Sequence, residues 1–362
     1  MNNPFTPVFG TVPLYPAGRD IILNDMHKAF LNWTGSPDIT SILIGPRGSG
    51  KTALLYMIAE QAKKEGWIVT DTIARKGMLE DIYQDIIFQA DFLDPYVIAR
   101  LSSVGVANVE FGIERIEKEK QNWRSKMSSV MSQFSNMETG LLILVDEVLP
   151  DLEEMVDLAA IYQLLRQRYP RTSLVMAGLP ANIYDLLNNK SVSFLRRARQ
   201  RFLGRIPDQE IELSFKKTLE KGGKQIDDKD LKQIVKTIDG FAYMMQLTGY
   251  YIWEASGEKT KISSEDVRKG IEYAVSEFRI GILDHTFQEL SDMDKKFLYA
   301  MLKDDDFSNL TDVSNRMGKT TGYCSSYKKR LLRSGVIEEK GGKNFAFAIP
   351  YFREYLKEEM DG

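Results

Sequence analysis

Eight consecutive residues, Gly45-Pro46-Arg47-Gly48-Ser49-Gly50-Lys51-Thr52, carry glycines, a lysine and a hydroxyl in the order G-x-x-x-x-G-K-[ST]. That order serves anion capture. The glycines let the backbone curl around phosphate, and the N–H groups of Gly48, Ser49, Gly50 and Lys51 would converge on it at a helix N-terminus. Lys51 would reach the β- and γ-oxygens of a nucleotide such as ATP, and the Thr52 hydroxyl would hold Mg2+. A second group fits the same chemistry. The apolar run Leu141-Leu142-Ile143-Leu144-Val145 ends in Asp146-Glu147. Asp146 would complete the metal site, while Glu147, pointing elsewhere, would orient or deprotonate an attacking water. Other reactive groups are scarce: Cys324 is the only cysteine and His27 and His285 the only histidines. This excludes an intrachain disulfide and argues against a zinc centre or a Cys-His nucleophile pair.

These groups need elements to hold them. Ile42-Leu43-Ile44 reads as a short buried strand feeding the loop, and Ala53-Leu54-Leu55 as the helix that leaves it. Strand-like runs at 40–44, 67–73, 141–146, 173–178 and 202–206 alternate with helical stretches, which predicts a doubly wound α/β sheet. Between the two motifs, helices are expected at 76–92 and 114–135, with strand character at 104–113. Residues 1–20 are Pro-rich and read as a lead-in to an amphipathic helix from Ile21 to Trp33. A length of 362 residues with 43% apolar content suits two or three globular domains. No apolar run approaches the ~18 residues of a membrane span, and Met1 to Gly10 lacks a secretory pattern, so a soluble cytoplasmic protein with no membrane contact is expected.

Past Pro207 the rhythm changes to amphipathic helices near 213–221, 227–238, 241–256 and 263–279, a small helical lid. From about 284 it changes again: helices at 291–302, 309–317 and 318–334 precede strands at 335–339 and 343–349. Three helices and a hairpin predict a winged helix-turn-helix. The expected domains are therefore 1–207 (nucleotide-binding α/β core), 208–283 (lid) and 284–362 (winged helix).

The chain resembles AAA+ P-loop ATPases of the origin-recognition-like and archaeal-type branch, close to the signal-transduction ATPases. Beyond the two motifs, the resemblance rests on Gly18-Arg19-Asp20, Ala177-Gly178-Leu179-Pro180, Phe194-Leu195-Arg196-Arg197 and Gly240-Phe241-Ala242-Tyr243-Met244-Met245-Gln246-Leu247. It implies ATP between core and lid with Gly18 and Arg19 along the adenine, and an arginine, Arg196 or Arg197, reaching the nucleotide of a neighbouring subunit in a homo-oligomer. It also implies a winged helix that commonly binds DNA. Two departures stand out: the fourth strand ends in Met176-Ala177-Gly178 without a polar residue, and Gly240 to Leu247 contains no arginine. Each donor missing from a transition state can cost on the order of 10- to 1000-fold, so the expected ATPase is slow.

Charge patterning leaves alternatives open. The arginines at 196, 197, 199, 201 and 205 are equally consistent with a basic face that is solvated or that binds nucleic-acid backbone. The overall net charge is -3, yet from Arg316 to Lys343 eight Lys or Arg stand against two Glu, a local +6. That asymmetry suits phosphate contact. Thr320, Thr321, Tyr323 and Ser326 begin the recognition helix and would face base edges. Lys328, Lys329, Arg330, Arg333 and the wing's Lys343 would face DNA phosphates, and Lys319 is a further DNA-binding candidate. The other reading gives the winged helix a protein partner or an autoinhibitory contact.

Overall fold

The computed structural model describes residues 2–361 other than 9, 94–122, 137 and 342. The strand reading of 104–113, the first residues of the 114–135 helix and Gly342 thus lie outside the described residues.

Five parallel strands form the central sheet: β1 (Thr40–Ile44), β2 (Ile68–Ile73), β3 (Leu141–Asp146), β4 (Thr172–Gly178) and β5 (Arg199–Phe202), in spatial order 2-3-4-1-5. Successive side chains of a strand point to opposite faces, and this sheet is apolar on both. Leu43, Leu142, Leu144, Val175 and Ala177 meet α1 (Asp20–Leu31) and α2 (Lys51–Lys64) through Met26, Phe30, Leu54 and Ile58. The opposite residues, Ile42, Ile143, Val145, Leu174 and Met176, bury against α3 (Met78–Leu93), α4 (Trp123–Asn136), α5 (Glu153–Arg168) and α6 (Pro180–Asn188). Both sheet faces are thereby closed, as a P-loop sheet requires.

The fifth strand departs from the expected 202–206. It begins at Arg199 because Ser41 to Ile44 of β1 align with Arg199 to Phe202, after which Gly204 and Arg205 leave the sheet and Ile206 N–H donates to Gly240 O at 2.8 Å. As an edge strand it is charged rather than apolar. Arg201 is held at 2.6 Å from Asp25 and 2.5 Å from Asp38, which disguises the strand in an apolar-run reading.

Four helices follow: α7 (Asp208–Lys221), α8 (Asp228–Ile238), α9 (Ala242–Ser256) and α10 (Ser264–Phe278). Their core includes a residue from far upstream, Phe5, whose ring lies 4.8 Å from that of Phe215. Gly249 makes the room: a Cβ there would lie 2.2 Å from the Phe5 ring. The chain beyond α10 does not break. Backbone angles stay helical through a π-turn over Arg279–Asp284 into α11 (His285–Gln288), giving one helical run from Ser264 to Gln288.

The remaining elements are α12 (Asp292–Met301), β6 (Ser308–Asn309), α13 (Leu310–Met317), α14 (Thr321–Ser334), β7 (Ile337–Lys340), β8 (Asn344–Phe347) and α15 (Phe352–Asp361). The three strands make an antiparallel sheet in order 6-8-7. Their hydrophobic core is continuous with the preceding helices: Phe241, Met244, Leu247 and Phe278 pack in the same cluster as Phe297, Leu331, Phe345 and Phe352.

Candidate functional site

The loop between β1 and α2 carries the conformations that its glycines permit. Gly48 and Gly50 sit at φ +75° and +87°, in the left-handed region, and Gly50 is the residue from which α2 starts. Gly48 is constrained twice over, since a Cβ would also lie 2.6 Å from the Phe241 ring of the lid. The start of α9 meets the loop at this point: Tyr243 N–H donates to Gly48 O at 3.0 Å. Gly45 faces Leu203 and Ser49, with no room for a Cβ.

Lys51 Nζ donates to Gly45 O at 2.9 Å and Pro46 O at 2.8 Å. Burial pushes its ammonium down to about 8, against the opposing pull of Asp146 and Glu147. Thr52 Oγ1 donates to Asp146 Oδ2 at 2.5 Å, so hydroxyl and carboxylate from two different elements meet beside the loop. The other carboxylate oxygen, Oδ1, accepts from Glu147 N–H at 2.8 Å. Glu147 itself is exposed and adopts φ +52°, which turns its side chain out of line with the strand.

Lys51 and Thr52 line a 470 Å³ cavity, together with Gly48 and Gly50 from the loop and Ala242, Tyr243, Met245 and Gln246 from α9. Arg19 lines it too. Its guanidinium is buried and donates to Ser49 O at 3.0 Å, tying the N-terminal segment to the loop, and burial holds its pKa below the ordinary arginine value against the pull of Glu210. Gly18 precedes it at φ +67° with Ile206 close by. The other wall is one that sequence reasoning did not find. Thr6, Pro7, Val8, Gly10, Thr11, Pro13 and Pro16 run across the cavity, and Thr6 N–H donates to Gln246 Oε1 at 3.1 Å. The only signal was an aromatic, Phe5, set between Pro4 and Pro7.

The arginine run separates into different roles. Arg201 is bound to Asp25 and Asp38, Arg205 pairs with Asp239 of the lid, and Arg199 approaches Asp38 at 3.8 Å. Arg196 and Arg197 end the 3-10 turn Lys190–Arg197 and are exposed. Arg196 Nε donates to Leu187 O at 2.8 Å. Neither lines the cavity of its own chain.

In the C-terminal segment Thr320 caps α14, accepting from Tyr323 N–H at 3.2 Å, and Thr321, Tyr323 and Ser326 are exposed on its first turns. Several of the basic residues are engaged within the chain. Lys328 is only 17% exposed, 3.4 Å from Glu339 and stacked over Phe345. Arg330 reaches Asp294 at 2.6 Å and Ser291 Oγ at 2.7 Å. Arg316 pairs with Asp304, Lys340 with Glu338, and Arg333 with Asp185 on α6 of the sheet domain. Among the described residues, Lys319, Lys329 and Lys343 remain outside these ion pairs.

The far end of α14 touches the phosphate loop. Gly335, φ +73°, ends the helix against Pro46, where a Cβ would lie 3.0 Å from the proline ring. Arg47 of the loop pairs with Glu289 at 2.9 Å, and Tyr351 Oη donates to Thr237 O at 2.7 Å.

Comparisons with known proteins agree on the architecture. A Walker-type ATPase of Pyrococcus abyssi aligns over 94% of this chain and 95% of its own with a TM-score of 0.66, at 12% identity. The ORC2 protein of Aeropyrum pernix aligns over 98% of both chains with a TM-score of 0.51, and Cdc6p of Pyrobaculum aerophilum over 98% of this chain and 97% of its own with 0.50, each at 16% identity. In sequence, 127 residues are 30% identical to the taurine import ATP-binding protein TauB of Pseudomonas fluorescens, which is 34% of this chain and 43% of that protein. The chain thus spans less than half the length of that curated relative. A family model described as a domain of unknown function (DUF8462) matches residues 281–356. The fold is that of the P-loop AAA+ ATPases.

Proposed function

We propose that this chain is a slow AAA+ ATPase whose nucleotide state governs what its C-terminal domain contacts. The observation that carries the reading is that Lys51 and Thr52 line the cavity, with Asp146 bonded to the Thr52 hydroxyl and Glu147 close enough to act on the Lys51 ammonium. The phosphates of ATP would lie on the backbone amides of Gly48 to Lys51 and on the Lys51 ammonium. An oxygen-only donor set of one hydroxyl and one carboxylate suits Mg2+, which keeps several waters and takes the rest of its ligands from phosphate. When bound, Mg2+ supplies charge neutralisation at the transferring group. Gly45 and Ser49 shape the loop, Gly18 and Arg19 the adenine end, and Glu147 is the base that takes a proton from the attacking water.

Slow turnover follows from what the walls lack. β4 ends in Met176-Ala177-Gly178, and α9 presents alanine, tyrosine, methionine and glutamine to the cavity where a cation would be expected. Arg196 and Arg197, exposed and outside their own chain's cavity, are candidates to complete the site of a second copy in a homo-oligomer.

The test is direct. Lys51→Ala should remove most ATP affinity, and Glu147→Gln should bind ATP with its turnover abolished, measured by nucleotide titration and phosphate release. Wild-type affinity in the first variant, or normal turnover in the second, would refute the assignments.

For the C-terminal segment, a winged helix on DNA is supported by exposed Thr321, Tyr323, Ser326, Lys319, Lys329 and Lys343, and by the fold shared with ORC2 and Cdc6p. A second reading, an intramolecular or protein-docking role, is favoured by one observation. Most of the local cations are spent inside the chain, and α14 already ends against Pro46 of the phosphate loop.

A further inference from the structure

We infer that Asn182, in the first turn of α6, is a positioning residue that sets the direction of the Glu147 carboxylate through Val148. The inference rests on the reading of Glu147 as the base. The residue lies outside both sequence motifs and outside the run Ala177 to Pro180.

Glu147 occupies the left-handed region at φ +52°, a conformation that a residue with a Cβ adopts reluctantly. Such a residue persists only where its surroundings over-determine it. Here the turn is tied at successive points. Ala74 N–H donates to Asp146 O at 3.0 Å, and Glu147 N–H to Asp146 Oδ1 at 2.8 Å. On the far side, Val148 N–H donates to Ala177 O at 3.0 Å, and Asn182 Nδ2 donates to Val148 O at 2.8 Å. Val148 is therefore held through both its backbone groups, one by β4 and one by α6, and its side chain is fully buried beside Gly178 and Ile183. Of these ties, the Asn182 bond is the only one made by a side chain outside the turn, so it can be removed without touching the metal carboxylate or the backbone ladder.

The chemistry follows from the fourth strand. With Met176-Ala177-Gly178 at its end, that strand offers no polar side chain to place the attacking water. Placement falls to Glu147, whose direction depends on the φ value that the Val148 clamp maintains. Asn182 thus acts one step removed: it does not line the cavity, and through Val148 it fixes the group that would place the water. A one-ångström displacement of a positioned group is enough to lower turnover strongly without weakening substrate binding.

The experiment compares wild type, Asn182→Ala and Asn182→Asp, which keeps the shape but lacks the donor. Turnover should fall on the order of 10- to 100-fold in both Asn182 variants, the range typical of residues that support a functional group without touching its substrate. ATP affinity should stay at the wild-type value, and the melting temperature should fall only by the few degrees that one lost hydrogen bond costs. Hydrogen exchange on the nucleotide-free protein gives a readout independent of turnover: the Val148 amide should exchange faster in Asn182→Ala, with β1 and β2 unchanged. Normal turnover or an unchanged Val148 amide in Asn182→Ala overturns the inference alone. Losses of affinity and melting temperature that match the loss of turnover reduce Asn182 to a merely structural residue and also overturn it. A wild type that binds ATP and never hydrolyses it overturns the catalytic reading and this one together.

Discussion

Lys51 spends its ammonium on two carbonyls of its own loop, in surroundings dry enough to bring its pKa to about 8. Phosphate needs that ammonium charged. Below pH 8 the free protein already carries the proton. Above it the free protein loses the proton while the phosphate-bound form keeps it, so binding must take one up. The expected result is an ATP affinity that declines as pH rises past 8, approaching tenfold per pH unit by simple linkage. Calorimetry in buffers of different ionisation enthalpy should show proton uptake growing between pH 7 and 9, and a pH-independent affinity would refute it. This chemistry was legible from eight letters, because G-x-x-x-x-G-K-[ST] dictates both backbone angles and charge. Asp146 and Glu147 were legible for the same reason, each defined by its offset from a buried strand. Asn182 was not, since an asparagine near a helix start is ordinary and its partner is a backbone oxygen 34 residues away.

At the scale of elements, the N-terminal arm shows how a segment without secondary structure can be anchored. Phe5 lies in the lid core in a slot that Gly249 leaves open, Asn3 donates to Glu254 at 2.9 Å, and Thr6 holds Gln246 over the cavity. Removing a buried phenyl ring typically costs ~3–5 kcal/mol. Phe5→Ala should therefore lower the melting temperature and, by freeing the arm from the cavity, weaken ATP binding as well. Nucleotide titration and thermal unfolding of that variant check both parts, and unchanged ATP affinity would mean the arm is no part of the pocket. The strands with continuous apolar runs were readable in sequence to within a residue or so, because burial on both faces leaves that signature. β5 was displaced because an edge strand stabilised by Arg201, Asp25 and Asp38 carries no such signature. The arm was invisible as a wall because prolines in extended backbone have no period to read.

Over the whole molecule, the basic C-terminal segment must be judged after its internal pairs are subtracted. Five of its eight cations, Arg316, Lys328, Arg330, Arg333 and Lys340, face carboxylates of the same chain. Phosphate contact, if DNA is the partner, then falls to Lys319, Lys329 and Lys343. Removing any one of these lysines should reduce the salt dependence of binding by about one unit of slope. Replacing all three by Ala should abolish salt-sensitive DNA binding with the fold intact, whereas Arg330→Ala should act mainly on stability by freeing Asp294. Binding isotherms at several salt concentrations decide it, and a triple variant that binds as wild type would remove the DNA reading. No summation of sequence charge could have distinguished the two sets, because the pairing depends on which helices meet.

The unbroken helical run from Ser264 to Gln288 has a mechanical meaning. It begins at Ser264, bonded to Asp230, passes the start of α9 where Phe278 packs on Phe241, and ends within one residue of Glu289, which holds Arg47. About 25 residues at ~1.5 Å each make a rod of ~37 Å. A rod of that length magnifies angle into displacement: a lid rotation of ~10° at one end would sweep the other by ~6 Å, from helix length alone. Both grips on the phosphate loop, at Gly48 through the start of α9 and at Arg47 through Glu289, lie toward the far end of that lever, so a small rotation about Ser264 would reach the two of them together as one large translation.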